Sequence, residues 1–255
     1  MFQIRFMLIY AALLIAAVVM PVTPGVGAPP AVARKAVVVE LFTSEGCSSC
    51  PPADALLGRL RQEKFADGLE VVPLGLHVDY WNFQGWTDRF SSDAYSRRQE
   101  KYAERFRIEG PYTPQMVVDG AWQFTGGDAP RARQAILQAA EHPELAKIEI
   151  SLPAADKLLV KVKAEAGNAG EVMMAITEDN LSTKVRAGEN DGRELRHAAV
   201  VRELRSLGRL HDGSFETGVP LKLQKEWKRE DLRLVVFVQD PKTWNIAGAA
   251  TLALP

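Results

Sequence analysis

The sequence predicts an α/β domain with a partly parallel sheet over residues 36–142, followed by an all-β domain, an antiparallel β-sandwich, over residues 146–255. Three observations lead there. From Ala36 onward, short β-rich runs alternate with helical ones, the pattern of strands joined by crossover helices. After His142-Pro143 strand-like segments follow one another with no clear crossover helix, as in stacked antiparallel sheets. A chain of 255 residues, less an N-terminal targeting segment, is long enough to bury two separate cores.

Residues 1–28 place Arg5 before an uncharged apolar run from Phe6 to Val22, then a Pro/Gly break and the small-residue pattern Val26-Gly27-Ala28. That is the layout of a secretory signal peptide, with Ala31-Val32-Ala33 offering a cleavage site as late as residue 33. The competing reading is a retained single-span membrane anchor, since about 17 apolar residues is the lower limit for crossing a bilayer. In either case the remaining chain faces an oxidising compartment, periplasmic or secreted, where disulfides form and persist.

Residues 36–42 (AVVVELF) are almost continuously apolar, as expected for a strand covered on both faces. Residues 48–64 carry Leu56, Leu57 and Leu60 at helical spacing and form the first crossover helix. The second strand is VVPLGLHV, residues 71–78, where Pro73 has no N–H for a ladder and points to a sheet edge. A helix over 93–106 sets Tyr95, Tyr102 and Phe106 near one face. QMVVDGAWQF, 115–124, is a hairpin turning at Asp119-Gly120, with Trp122 and Phe124 expected in the core. A helix over 129–141 closes the first domain. Beyond it KIEISL, KLLVKVKAEA, EVMMAITED, HAAVVRELRSL, ETGVPLKL and RLVVFVQD are separated by turn clusters such as His211-Asp212-Gly213.

Several function classes drop out. The net charge is −1, with basic residues interleaved among acids, so there is no nucleic-acid footprint and, once the signal is cleaved, no membrane-binding one. No GxGxxG, P-loop, HExxH or GxSxG occurs.

Both cysteines of the chain lie in GCSSCPP, residues 46–52, between the first strand and the first helix. At a helix N-terminus backbone N–H groups and the dipole favour a thiolate, and the spacing of Cys47 and Cys50 brings the sulfurs together. Cys47 can then attack a disulfide and Cys50 can resolve the mixed disulfide. Two other uses remain open: an inert disulfide, which would close too short a loop to add much stability, and a metal clip. Further on, TPQMVVDG places Pro114 at the start of the third strand.

With these elements in view the first domain resembles the thioredoxin-like superfamily, in which a CxxC after the first strand is faced by a cis-proline loop. The resemblance implies that Pro114 is cis, that Thr113 presents backbone groups to a bound peptide or thiol, and that Cys47 is the nucleophile. More narrowly, FTSEGCSSCPPAD, HVDYWNFQGWTDRF and YTPQMVVDG, with LRHAAVVRELRSLG and VVFVQDPKTWNIAGA in the tail, are similar to the uncharacterised secreted family DUF1223. The chain departs from thioredoxin itself in lacking a tryptophan before Cys47 and in having Ser48-Ser49 between the cysteines.

His77, at the end of the second strand, is expected near the CxxC, where it stabilises a thiolate, relays a proton, ligates a metal with Cys47 and Cys50, or sits hydrogen-bonded in a loop. Asp79 either orients His77 or caps that loop; Glu45 tunes Cys47 or is solvated. Tyr80, Trp81, Phe83 and Trp86 form either a peptide-recognition wall, with Trp81 and Trp86 as substrate contacts, or the core of an insertion. His197 and His211 receive no role. The sequence thus points to an exported thiol-disulfide oxidoreductase acting on a protein or small thiol/disulfide substrate, requiring no organic cofactor. A Cu(I)-handling protein using Cys47, Cys50 and His77, and a noncatalytic binding module, are the alternatives.

Overall fold

In the computed structural model, residues 36–65, 68–154, 156–165 and 169–254 are described. The expected signal peptide lies outside them. The first strand, β1 (Ala36–Thr43), is buried along its whole length, and α1 (Pro51–Gln62) follows it. Next come β2 (Glu70–His77), α2 (Asp93–Phe106), the hairpin β3 (Gln115–Val118) and β4 (Trp122–Thr125), and α3 (Ala129–Ala140). The remainder is β: β5 (Ala146–Ala154), β6 (Lys157–Ala164), β7 (Glu171–Glu178), β8 (Leu181–Lys184), β9 (Glu194–His197), β10 (Val200–Arg209), β11 (Ser214–Pro220), β12 (Leu232–Gln239) and β13 (Ile246–Ala253).

Alternation explains why β1 is apolar throughout. Val37, Val39 and Leu41 pack on Leu56, Leu57 and Leu60 of α1 and on Ala132, Ala135 and Ile136 of α3. Val38 and Phe42 face the other way, into a cluster with Leu74, Leu76, Tyr95 and Tyr102. Each fully buried leucine here contributes roughly 1.5–3 kcal/mol of burial free energy. The hairpin turns where expected, with Asp119 at φ 49° and Gly120 at φ 66°.

The expected division into an α/β thioredoxin-like domain and a separate all-β domain is not what forms. One mixed eight-stranded sheet runs β13-β12-β7-β10-β2-β1-β3-β4, so four strands of the C-terminal half continue the sheet begun by the N-terminal half. The physical reason sits on β2, which the sequence places at an edge because of Pro73. The amide of Gly75 donates to Ala199 O at 2.8 Å, and a Cβ on Gly75 would lie 3.2 Å from the carbonyl oxygens of both Ala198 and Ala199. The missing side chain lets β10 approach as a parallel neighbour through the pair Val200↔Gly75. Amides on a strand alternate in direction, so Pro73 turns its missing donor to the side of Gly75, where the ladder with β10 has no further pair.

A sandwich-like layer does exist, on a smaller scale. The sheet β11-β6-β5 packs Leu158, Val160 and Val162 against Val172, Met174, Ile176, Leu234, Val236 and Val238 of the large sheet. The hairpin β8-β9 stands apart as a two-stranded sheet.

A buried polar knot also joins the two halves. Arg98 of α2 grips Glu40 of β1 with Nε at 2.5 Å and Nη2 at 3.0 Å, while its Nη1 donates to Gln239 of β12 at 3.0 Å. Tyr102 donates its hydroxyl proton to Glu40 and receives Nε2–H of Gln239 at 3.0 Å. Burial and the Glu40 charge together push the Tyr102 hydroxyl pKa well above its ordinary value.

Candidate functional site

Cys47 and Cys50 are joined as a disulfide in the turn between β1 and α1. The amide of Cys47 donates to Ser44 O and that of Cys50 to Cys47 O, both at 3.2 Å, so the turn is locally closed before the helix starts. Cys50 is the residue that caps α1, and Cys47 lies one turn earlier. Pro51 and Pro52, in the first helical positions, suit the fixed φ there but supply no N–H. The next amides, those of Ala53 and Asp54, both donate to Cys50 O, at 2.9 and 3.1 Å. The hydroxyl of Ser49 lies 3.4 Å from Cys47 Sγ.

Both cysteines are fully buried, although Ser48 and Ser49 between them are exposed. Residues 185–193, the loop joining β8 to β9, are tied to the backbone of this turn. The Ser48 amide donates to Glu189 Oε2 at 2.9 Å, and Asn190 donates its side-chain amide to the carbonyls of Glu45 and Cys47 at 2.9 and 3.0 Å. Asn190 is itself fully buried, with its own oxygen held by Arg193 at 2.7 Å.

Glu45, two residues before Cys47, belongs to a buried cluster of ionisable groups. His77 ends β2, in register with Thr43 at the end of β1. Its Nδ1 meets Asp88 Oδ2 at 2.6 Å. Asp88 also accepts the amides of Glu45 and Phe90, each at 2.9 Å. Glu45, expected either to tune Cys47 or to be solvated, has no exposure: one oxygen is 3.1 Å from His197 Nε2 and the other accepts Trp86 Nε1–H at 2.9 Å. The two imidazoles stand 5.0 Å apart, with Phe90 edge-on to both. Nδ1 of His197 is buried and meets no hydrogen-bond partner.

Burial works against the imidazolium of His77, but the Asp88 carboxylate more than offsets it and holds the pKa above 6.5. Burial likewise disfavours the Asp88 carboxylate, yet His77 and the two backbone amides bring its pKa below 3.8. Asp54, on the first turn of α1, is governed by burial, which raises its pKa; His77 and His197 offset this only in part. The cluster therefore holds protons on His77 and Asp54 above the pH at which such groups ordinarily release them.

The proline loop is tied to the same place. The Thr113–Pro114 peptide is cis. Trp81 donates its indole N–H to Thr113 Oγ1 at 2.8 Å, and its Cβ lies 3.2 Å from where a Cβ on Gly46 would be. On the other side, a Cβ on Gly126 would lie 3.1 Å from Pro114 Cβ and 3.2 Å from Ala53 Cβ, so this glycine allows the proline loop to close on the start of α1. Gln99 of α2 holds the loop from behind, donating to Tyr112 O at 2.6 Å and to Gln115 Oε1 at 2.9 Å.

Among the residues singled out from sequence, Cys47, Cys50, His77, Thr113, Pro114, Trp81, Trp86 and Glu45 are thus gathered around one strand end. Asp79 is not paired with His77; it engages Ser96. Trp81 and Trp86 are half-buried, whereas Phe83 is 92 % exposed. Among the described residues no three of His, Cys, Asp and Glu stand in a metal-ligating arrangement. Sequence reasoning missed Asp88, Asp54, Glu189, Asn190 and His197. Only GENDG, residues 188–192, carried a signal, and it announced a turn without saying where the turn docks.

Comparison with known proteins places this geometry. The family model described as "Protein of unknown function (DUF1223)" matches residues 38–239. The crystal structure of protein AGR_C_4864 from Agrobacterium tumefaciens is 26% identical, with a TM-score of 0.70 over 86% of this chain and 94% of that one. A domain of the outer membrane lipoprotein Omp28 from Porphyromonas gingivalis is 17% identical, with a TM-score of 0.24 over 43% of this chain and 88% of that one. No curated protein matches.

Proposed function

The chain belongs to the DUF1223 family, and from that premise we propose that it is an exported thiol-disulfide oxidoreductase working through Cys47 and Cys50. One observation carries the proposal: a CxxC pair at a strand-to-helix turn, near a cis-proline loop, follows within two residues of Glu45, which is part of a buried ionisable cluster. The pairing of a CxxC with a cis-proline loop is the site arrangement of thioredoxin-like oxidoreductases, which supports the reading at the level of the site.

In the reduced protein, the Cys47 thiolate attacks one sulfur of a substrate disulfide. A mixed disulfide forms and the other substrate sulfur leaves as a thiolate. The Cys50 thiolate then attacks Cys47 Sγ, which restores the Cys47–Cys50 bond and releases the second substrate thiolate, so two electrons pass from protein to substrate. The reverse sequence oxidises a substrate dithiol. Cys50 has no exposure, so its proton leaves through the interior or after the turn opens. Thr113, Trp81 and Trp86 border the approach to the sulfurs.

The complete burial of both sulfurs favours a second reading, a binding module whose disulfide is fixed. Measuring the reduction potential of the Cys47–Cys50 pair separates the two. The oxidoreductase reading expects a potential above about −300 mV and a Cys50→Ser variant that accumulates a mixed disulfide on Cys47. A more negative potential with no trapped species sinks it.

A further inference from the structure

We propose that the loop of residues 185–193 fills, in the resting oxidised protein, the seat of an acidic polypeptide segment, and that such a segment binds the CxxC turn by displacing it. The substrate class rests on the oxidoreductase reading above; the existence of the plug does not.

Three backbone groups of the turn face outward to a binding partner: the N–H of Ser48 and the carbonyls of Glu45 and Cys47. Each is taken by the loop, the N–H by the Glu189 carboxylate and both carbonyls by the Asn190 side-chain amide. Two consecutive residues thus supply a negative acceptor and a two-proton donor to one short stretch of chain. A segment that replaces the loop bond for bond brings a carboxylate for the Ser48 amide beside an N–H donor for the Glu45 carbonyl, while Cys47 O keeps the amide of Cys50. Backbone contact to Ser48 is also the main reason the Glu189 pKa lies below 4.5.

The plug lies outside the two larger sheets, although its hairpin is seated by the buried side chains of Val185, Leu195 and His197. It is the tip of the β8-β9 hairpin, which belongs to neither larger sheet. Its apex, Gly188, sits at φ 76°, and a Cβ there would lie 3.3 Å from both Gln84 O and Trp86 Cβ, so the tip rests on the aromatic loop next to the exposed Phe83. Arg89 holds the hairpin by a single exposed bond to Ser182 O at 3.0 Å. The base of the same hairpin carries His197, bonded to Glu45. Lifting the hairpin therefore frees the backbone of the CxxC turn and releases His197 from Glu45 in a single movement.

The experiment uses the full mature protein and an uncharged reductant, tris(hydroxypropyl)phosphine, so that the Glu189 charge does not bias the reagent. The Glu189→Ala/Asn190→Ala variant is expected to be reduced at Cys47–Cys50 on the order of tenfold faster or more, the weight of a charge-assisted hydrogen bond and its neighbours. Adding the peptide VRAGENDGR should restore slow reduction, and its Glu→Gln counterpart should do so several-fold less effectively. Equal rates in wild type and a folded double variant overturn the plug; equal action of the two peptides overturns the acidic segment. Hydrogen exchange of the Ser48 amide in wild type needs no variant: protection is expected, and free exchange overturns the proposal. Phosphine access is read whatever the reduction potential, so a fixed disulfide with a working plug defeats only the oxidoreductase reading.

Discussion

Removing Asp88 should expose how much of the site rests on one carboxylate. Asp88 accepts Nδ1–H of His77 at 2.6 Å and the amides of Glu45 and Phe90 at 2.9 Å each. Asp88→Ala leaves a buried imidazolium without its counter-charge, which costs roughly 3–5 kcal/mol. It also strands two backbone donors at about 1–3 kcal/mol apiece before relaxation or water entry. These costs overlap, so a net loss of about 4–6 kcal/mol is expected, a large part of the roughly 5–15 kcal/mol that holds a domain folded. Urea unfolding with a fixed m-value measures it. A second readout is independent of stability: with Asp88 gone, burial is left as the dominant influence on His77, and its pKa by NMR should fall from above 6.5. A loss under about 1 kcal/mol with an unmoved His77 pKa would refute the reasoning.

The same pair gives stability an acid-side optimum. His77 titrates above its ordinary 6.5, so its contribution is full below that value and is lost as pH rises through the folded pKa. Asp88 titrates below its ordinary 3.8, so its contribution is present above that value and is lost as pH falls through the folded pKa. Unfolding midpoints across pH should peak between these limits in wild type and lose the peak in Asp88→Ala. In the Arg98 knot, Glu40→Gln is expected to cost about 3–5 kcal/mol, whereas Glu40→Met/Arg98→Met recovers most of it; equal losses would show that the pairing is not the cause. Gly120→Ala would put Cβ 1.9 Å from Trp244 O at a φ of 66°. It should cost more than about 4 kcal/mol in thermal or chemical unfolding, while Gly127→Ala, with nothing within 4 Å, should be near neutral.

Local elements were legible in the sequence because local rules govern them. The helix over 93–106 is set by its aromatic spacing and a Ser92 cap, and the hairpin by Asp119-Gly120. The CxxC, His77 and the cis proline could be placed together because short motifs and the parallel β1-β2 pair fix their positions. What could not be read was the bond between Gly75 and Ala199 that sets β10 beside β2, since Pro73 is the louder signal two residues earlier. Missing that contact hid His197, Asn190 and Glu189, which lie 143 or more residues from the groups they meet or, for Ser48, 141. A lone histidine opening a strand and a GENDG turn have no local feature that announces a partner at that distance.

The assembly of the site from both halves has an energetic consequence. As a disulfide the sulfurs carry no charge, so burying them costs nothing electrostatically. Reduction that leaves a thiolate adds a negative charge in a space with no solvent contact for either sulfur, two residues from the buried Glu45. Such a charge is unfavourable there unless a proton is taken up or water is admitted. The proton for that thiolate is one that His77 or Asp54 already holds or one drawn from solvent; under the proposal above, admitting water means lifting residues 189 and 190. Whatever free energy the seated loop adds against the reduced form, reduction must return as an equal bias toward the lifted loop, because the coupling between two equilibria in one molecule is reciprocal. The cover and the redox state are therefore a single linked equilibrium. Loosening the loop by substitution should raise the reduction potential of the pair, in the same direction as it speeds the phosphine.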